Sequence, residues 1–285
     1  MPEPRTPRPR ESKVTAALYS TVVEPATRTG SGCLLWLHGI LGSGSNLRSI
    51  AKRVSDARGV PSVLVDLRLH GRSPAGDAPH TVLACAQDLF RLVATLDQEP
   101  DVVLGHSFGG KVALAYAGER AVPLRELWLL DSQPGARPSG QGSETTLSVF
   151  AALEKVGRVF PSRDAFIDEL AGHGIERGIA QWLGMNLRPN PAGGMLLGLD
   201  VPALSELLHD YFALDLWPVF ERVPAQERLR LVRGDASRVV DEATQARVHA
   251  LEAHFGSRVA LPTIQGAGHW LHVDQPDALV ALLAG

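Results

Sequence analysis

The chain is short of several things, and each shortage removes a class of protein. Two cysteines among 285 residues, Cys33 and Cys85, cannot build a disulfide framework. Cys33 stands in an apolar run and Cys85 in a helical pattern, so both read as core hydrophobes rather than as a metal pair. Charge of one sign is also scarce. The 28 Lys and Arg against 31 Asp and Glu leave a net charge of −3, no footprint for nucleic acid or an anionic membrane. No apolar run approaches the ~20 residues of a membrane-spanning helix. Residues 1–13 are rich in Pro and Arg and lack an apolar centre, which excludes a secretory signal and argues against an amphipathic transit helix. They are expected to form a disordered tail on a soluble, intracellular protein of the cytoplasm or an organelle.

What the chain does have is enough apolar residue, 45%, to bury a large core. Apolar runs bounded by turn residues alternate with helical patterns, the mark of a parallel sheet covered on both faces. Strands are expected at 17–23, 34–37, 62–65, 102–104, 127–130, 229–232 and 259–261. Helices are expected at 47–57, 82–96, 111–118, 242–255 and 277–283. The alternation stops between about Gln133 and Pro224, where helical patterns are broken by Gly172, Gly174, Pro189, Pro191, Gly193 and Gly194. The expected organisation is therefore a core of residues 14–133 and 225–285, with a helical cap, 134–224, inserted over the cleft.

The most informative segment is Val102-Val103-Leu104-Gly105-His106-Ser107-Phe108-Gly109-Gly110-Lys111. Gly-x-Ser-x-Gly alone is a common accident; between a buried strand and a helix it has the context of a nucleophile elbow. Ser107 would stand at a sharp turn, at a helix N-terminus whose N–H groups favour developing negative charge. A serine needs a base, and His269 is the best placed of ten histidines. It follows the last strand in a glycine-bearing loop, at the same sheet edge as the elbow. His272 is the next choice, and His249 and His254 belong to a helix surface. Acyl transfer also needs donors for an oxyanion. The N–H of Phe108 is one; the loop His38-Gly39-Ile40-Leu41-Gly42 can supply the other from Ile40, or alternatively Leu41. His38 and His106, beside this loop, read as hydrogen-bonding supports.

His38-Gly39, Asp66-Leu67-Arg68-Leu69-His70-Gly71-Arg72-Ser73, the Gly105–Gly109 elbow and Gly268-His269 together resemble the α/β-hydrolase fold family, from about Ala17 onward. Within it, Asp-x-Arg-x-His-Gly-x-Ser and Gly-His-Ser-x-Gly-Gly-Lys are similar to the esterase subgroup of ABHD11-type and YbfF-type proteins. The resemblance implies a mostly parallel sheet, and a cofactor-free serine hydrolase acting on small carboxylic esters or thioesters through an acyl-enzyme. The Asp66–Ser73 motif is expected to brace the cleft wall through Arg68 and His70. The usual family positions for the third, acidic member hold Ser237 and Arg238. The subgroup resemblance points instead to Asp131, which closes a buried strand and needs a partner there. Asp235 is the alternative acid, and Ser237 is expected near His269.

Two other readings share the fold. A C–C lyase like the menaquinone-pathway synthase is suggested by the His38–Gly44 run, but Arg158, Arg163, Arg177 and Arg188 form no dense cluster for its polyacidic substrate. A non-catalytic ligand-binding protein is opposed by the joint presence of Ser107, His269 and both oxyanion loops. Dehalogenases and epoxide hydrolases carry Asp where Ser107 stands. No His/Cys/carboxylate cluster has zinc-ligand spacing, and no metal or organic cofactor is expected. Ester hydrolysis should therefore survive exhaustive dialysis against EDTA; a loss restored by one divalent ion would refute this.

Overall fold

The central strands are mostly apolar and buried at every position, because both faces of the sheet are covered. In β2 (Leu34–Leu37), Leu35 and Leu37 join one hydrophobic cluster while Leu34 and Trp36 join the other. In β3 (Ser62–Val65), Val63 and Val65 face one way and Leu64 the other. The computed structural model describes residues 17–285, so the expected tail, 1–13, lies outside the described residues. A short β1 (Ser20–Val23) pairs antiparallel with β3. The strands β4 (Val102–His106), β5 (Glu126–Leu130), β9 (Arg228–Gly234), β10 (Val259–Ala260) and β11 (Thr263–Ile264) complete an eight-stranded sheet, parallel apart from β1. The order is β1-β3-β2-β4-β5-β9-β10, with β11 also on β9.

Helices α1 (Arg48–Arg58) and α11 (Pro276–Ala284) bury Ile50, Val54, Leu279 and Leu283 against one face. Helices α2 (Val82–Val93) and α3 (Phe108–Glu119) bury Val82, Cys85, Leu89 and Val112 against the other. Cys33 and Cys85 are buried free thiols. From β2 the chain moves outward to β3 and then returns to β4 on the other side. That reversal opens a crevice beyond the carboxyl ends of β2 and β4.

Between β5 and β9 lie helices α4 (Glu144–Leu153), α5 (Arg163–Gly172), α6 (Arg177–Leu183), α7 (Val201–Ala213) and α8 (Trp217–Phe220). The expected helical character holds, with one addition. A three-stranded antiparallel sheet, β6 (Val159–Phe160), β8 (Met195–Leu197) and β7 (Leu187–Pro189), sits among them. These strands of two or three residues are too short to show an alternating pattern. The Gly193-Gly194 pair, legible only as a hinge, turns the chain between β7 and β8. Lys111, on α3, ties this segment to the core. Its ammonium donates to the carbonyls of Gly135 (2.8 Å), Tyr211 (2.7 Å) and Leu214 (3.0 Å), using all three protons. Helix α9 (Glu242–Phe255) is capped by Asp241, whose carboxylate accepts the Thr244 N–H at 2.9 Å.

The loops after β2 and β3 are locked together by two buried imidazoles. His38 Nδ1 donates to the Gly39 carbonyl (2.7 Å), leaving Nε2 to accept the Leu67 N–H (3.0 Å). His70 repeats the arrangement, donating to the Arg68 carbonyl (2.8 Å) and accepting the Leu41 N–H (3.0 Å). Arg68 is itself held in two-pronged fashion by the Asp88 carboxylate at 2.6 and 3.0 Å.

Burial lowers the pKa of His38 to about 4 and of His70 to about 3. Both fall below the unfolded value near 6.5, so the unfolded chain binds more protons through that interval. The stability is complete above ~6.5 and is lost as pH falls toward 4. Keeping one such imidazole neutral at pH 4 costs on the order of 3 kcal/mol. The thermal midpoint should drop steeply from pH 6.5 to 4, and His70→Gln, which keeps an acceptor without a titration, should flatten that slope. An unchanged midpoint over this interval in the parent protein would refute the account. Backbone crowding gives a second expectation. A Cβ on Gly105 would lie 2.2 Å from the Gly109 carbonyl oxygen, and one on Gly109 would lie 2.5 Å from the His38 carbonyl oxygen. Gly109→Ala should cost several kcal/mol, roughly 3 or more, in denaturant unfolding.

Candidate active site

Ser107 is the single residue between the end of β4 and the start of α3, and it turns the chain with φ 52° and ψ −117°. A non-glycine residue there costs about 1–3 kcal/mol unless its surroundings enforce it. They do so through the backbone. The Ser107 N–H donates to the Leu130 carbonyl at 2.9 Å, and its carbonyl accepts from the Ser132 hydroxyl (2.6 Å) and the Gly110 N–H (2.9 Å). Gly105 and Gly109 let strand, turn and helix approach without a Cβ between them.

Ser107 Oγ lies 3.0 Å from His269 Nε2, and His269 Nδ1 lies 2.6 Å from Asp131 Oδ2. His269 comes from the loop after β11, Asp131 from the residue after β5. With Asp131 ionised, Nδ1 carries the proton and the Nε2 lone pair is left facing the serine hydroxyl. Asp131 has no exposed side-chain surface, and it takes a left-handed φ of 47° that swings it out of the strand direction. Its carboxylate also accepts the Ser237 hydroxyl at 2.5 Å and, more weakly, the Gly234 N–H at 3.4 Å. The other acidic candidate, Asp235, points elsewhere: its carboxylate accepts the Ala267 N–H at 3.2 Å, supporting the loop that carries His269.

The remaining histidines divide cleanly. His106 Nε2 donates to the His269 backbone carbonyl at 2.8 Å, and burial holds its pKa well below the ordinary imidazole value. His272 packs edge-on against His106 with ring centres 5.1 Å apart, and burial followed by the nearby His269 lowers its pKa to about 4. His249 pairs with Glu252 on the exposed side of α9. His269 alone among them reaches Ser107.

The loop after β2 closes on Ser107 from the other side. A Cβ on Gly39 would stand 3.5 Å from the Ser107 Cβ. The Leu41 N–H is consumed by His70, whereas the Ile40 N–H has no acceptor among the described residues. Phe108 opens α3, where first-turn N–H groups lack intrahelical acceptors. Above these amides is a cavity of about 460 Å³ lined by Ile40, Val149, Ile179, Trp182, Trp270 and Val273 besides Ser107 and His269.

Several contributors carried no readable signal. Ser132 belongs to no motif, yet its hydroxyl holds the Ser107 carbonyl. Val149 and Ile179 reach the cavity from helices whose register with the core cannot be read from pattern. Trp182 lines the cavity, while Tyr211, Phe212 and Trp217, equally eligible by sequence, are buried in the hydrophobic core.

Comparisons agree with this architecture. The mouse protein named sn-1-specific diacylglycerol lipase ABHD11 is 29% identical over 258 residues, covering 88% of this chain and 80% of its own. The Escherichia coli protein named esterase YbfF is 27% identical over 248 residues, covering 87% and 89%. A solved marine microorganism esterase superposes with a TM-score of 0.79 at 22% identity, covering 94% of this chain and 98% of that one. The sequence pattern of the alpha/beta hydrolase family matches residues 34–282, and the chain belongs to that family.

Proposed function

We propose that the protein is a carboxylesterase-like serine hydrolase that cleaves a small-molecule ester or thioester through Ser107, His269 and Asp131. The observation that carries this reading is the unbroken hydrogen-bonded line from the Ser107 hydroxyl through His269 to the buried Asp131 carboxylate. Ser107 Oγ attacks the acyl carbonyl while His269 Nε2 takes its proton. The oxyanion accepts the N–H groups of Phe108 and Ile40; Leu41 is the weaker candidate because its N–H is already bonded. Collapse expels the alcohol or thiol, which recovers the proton from His269. Water, activated by the same imidazole, then releases the acid and frees Ser107.

Asp131 holds the imidazole in the working tautomer and stabilises the imidazolium, with Ser237 keeping the carboxylate oriented. His38 and His106 support the two loops. Residues 134–224 form the cap, whose α4 and α6 supply the upper wall of the acyl cavity. The cavity beside Ser107 does not favour the lyase alternative: among the described residues Glu176 is the single Asp, Glu, Lys or Arg lining it, so a polyacidic substrate meets no Lys or Arg next to the serine.

Ser107→Ala should lower kcat on p-nitrophenyl butyrate by about 10⁴-fold or more and abolish fluorophosphonate labelling, without a change of fold by circular dichroism. Undiminished turnover would end the proposal. Asp131→Asn, which puts an amide where the imidazole needs an acceptor, should cost up to about 10⁴-fold. Asp235→Asn should be mild and Ser237→Ala intermediate. A crippled Asp235→Asn beside a near-normal Asp131→Asn would reverse the assignment.

A further inference from the structure

A second cavity, about 710 Å³, adjoins the first, and Leu41, Gly42, Asn46 and Trp182 line both. The two differ sharply in chemistry. The first is walled mainly by apolar side chains, whereas the second gathers Arg48, Arg72 and Arg188 with Ser43 and Ser45. The three arginines come from separate places: the start of α1, the loop after β3, and β7.

Among the described residues one acid, Asp66, lines this second cavity, and its carboxylate is already engaged. It accepts the Gly44 N–H at 2.8 Å and the Arg72 N–H at 2.9 Å. Arg72 donates to the Tyr19 hydroxyl at 2.8 Å and lies over that ring, which leaves other guanidinium protons unused. The guanidinium groups of Arg48 and Arg188 have no hydrogen-bond or ion-pair partner among the described residues. Three exposed arginines thus line one polar cavity in a chain whose net charge is −3. Guanidinium forks match carboxylate and phosphate oxygens in two-pronged fashion.

Resting on the esterase reading above, we infer that the substrate carries an anionic group on its alcohol or thiol side. Arg48, Arg72 and Arg188 hold that group while the acyl chain occupies the apolar cavity beside Ser107. The acyl chain has nothing to offer an arginine, and the anion has nothing to gain from Val149, Ile179 and Trp270. The partition assigns each end of the substrate to the cavity that solvates it.

The test uses three esters with one acyl group: 1-butyrylglycerol, 1-butyrylglycerol 3-phosphate and 3-O-butyrylglycerate. Turnover of the neutral ester, and its loss in Ser107→Ala, tests the esterase reading by itself. The anionic-to-neutral ratio of kcat/KM tests the inference. At least one anionic ester should be preferred by about tenfold or more, through KM, and the preference should shrink in 0.5 M salt, roughly in line with screening. Phosphate and carboxylate arms distinguish the two anions. In Arg48→Gln/Arg188→Gln the ratio should fall toward one. Calorimetry of glycerol 3-phosphate and of glycerate binding to Ser107→Ala reads the second cavity without turnover, and binding should disappear when Arg48→Gln and Arg188→Gln are added to Ser107→Ala. Equal kcat/KM for all three esters, a preference that survives in the double variant, or no binding of either anion to Ser107→Ala would overturn the inference.

Discussion

A single carboxylate with no solvent exposure, Asp131, sits where four parts of the chain meet. Its backbone is anchored on β9 through the Val232 carbonyl, and its side chain receives His269, Ser237 and Gly234. An ion buried this deeply is costly unless its lone pairs are filled. Filling them requires the loop after β11, the turn after β9 and the end of β5 to be in register at once. Because β5 lies between β4 and β9, that register also sets the distance from His269 to the elbow. The geometry around Ser107 is thus the far end of a constraint that begins in the sheet.

The imidazoles show how one residue type is given different work by its surroundings. His38 and His70 each use one nitrogen to donate and the other to accept a backbone N–H, so both must stay neutral. His106 donates to the carbonyl of His269 and positions that residue's backbone. His269 is 28% exposed in its side chain and lines the cavity beside Ser107. Burial removes the first three from acid–base chemistry and makes them supports.

The segment between β5 and β9 is not an independent lid. Lys111, one helical turn beyond Ser107, grips carbonyls at both its entry, Gly135, and its exit, Tyr211 and Leu214. On the other side of the site, the Asn186 amide donates to the Leu41 carbonyl at 3.1 Å. The same loop that carries Ile40 therefore also contacts the segment between β5 and β9, and Leu41 lines both adjoining cavities.

The parallel sheet, its covering helices and the elbow were legible in the sequence because each is local: runs apolar at every position mark strands buried on both faces, and Gly-x-Ser-x-Gly between strand and helix marks the turn. The α/β-hydrolase family followed from the order of the motifs, and it is the family to which the chain belongs. Position after a strand end also put His269 at the sheet edge that carries Ser107, since strand ends in a parallel sheet share one edge. Other distinctions depended on distances that no local pattern contains. Asp131 and Asp235 are both acids near strand ends, and only the backbone twist at Asp131 and the packing of β5 on β9 decide which carboxylate meets the imidazole. Leu41 and Ile40 are neighbours, and only the approach of His70 decides which amide is occupied. The short strands among the helices, the carbonyl cage around Lys111 and the meeting of Arg48, Arg72 and Arg188 unite residues far apart in the chain. Sequence determined what each segment is; long-range packing, through burial and backbone hydrogen bonds, decided which segments face one another.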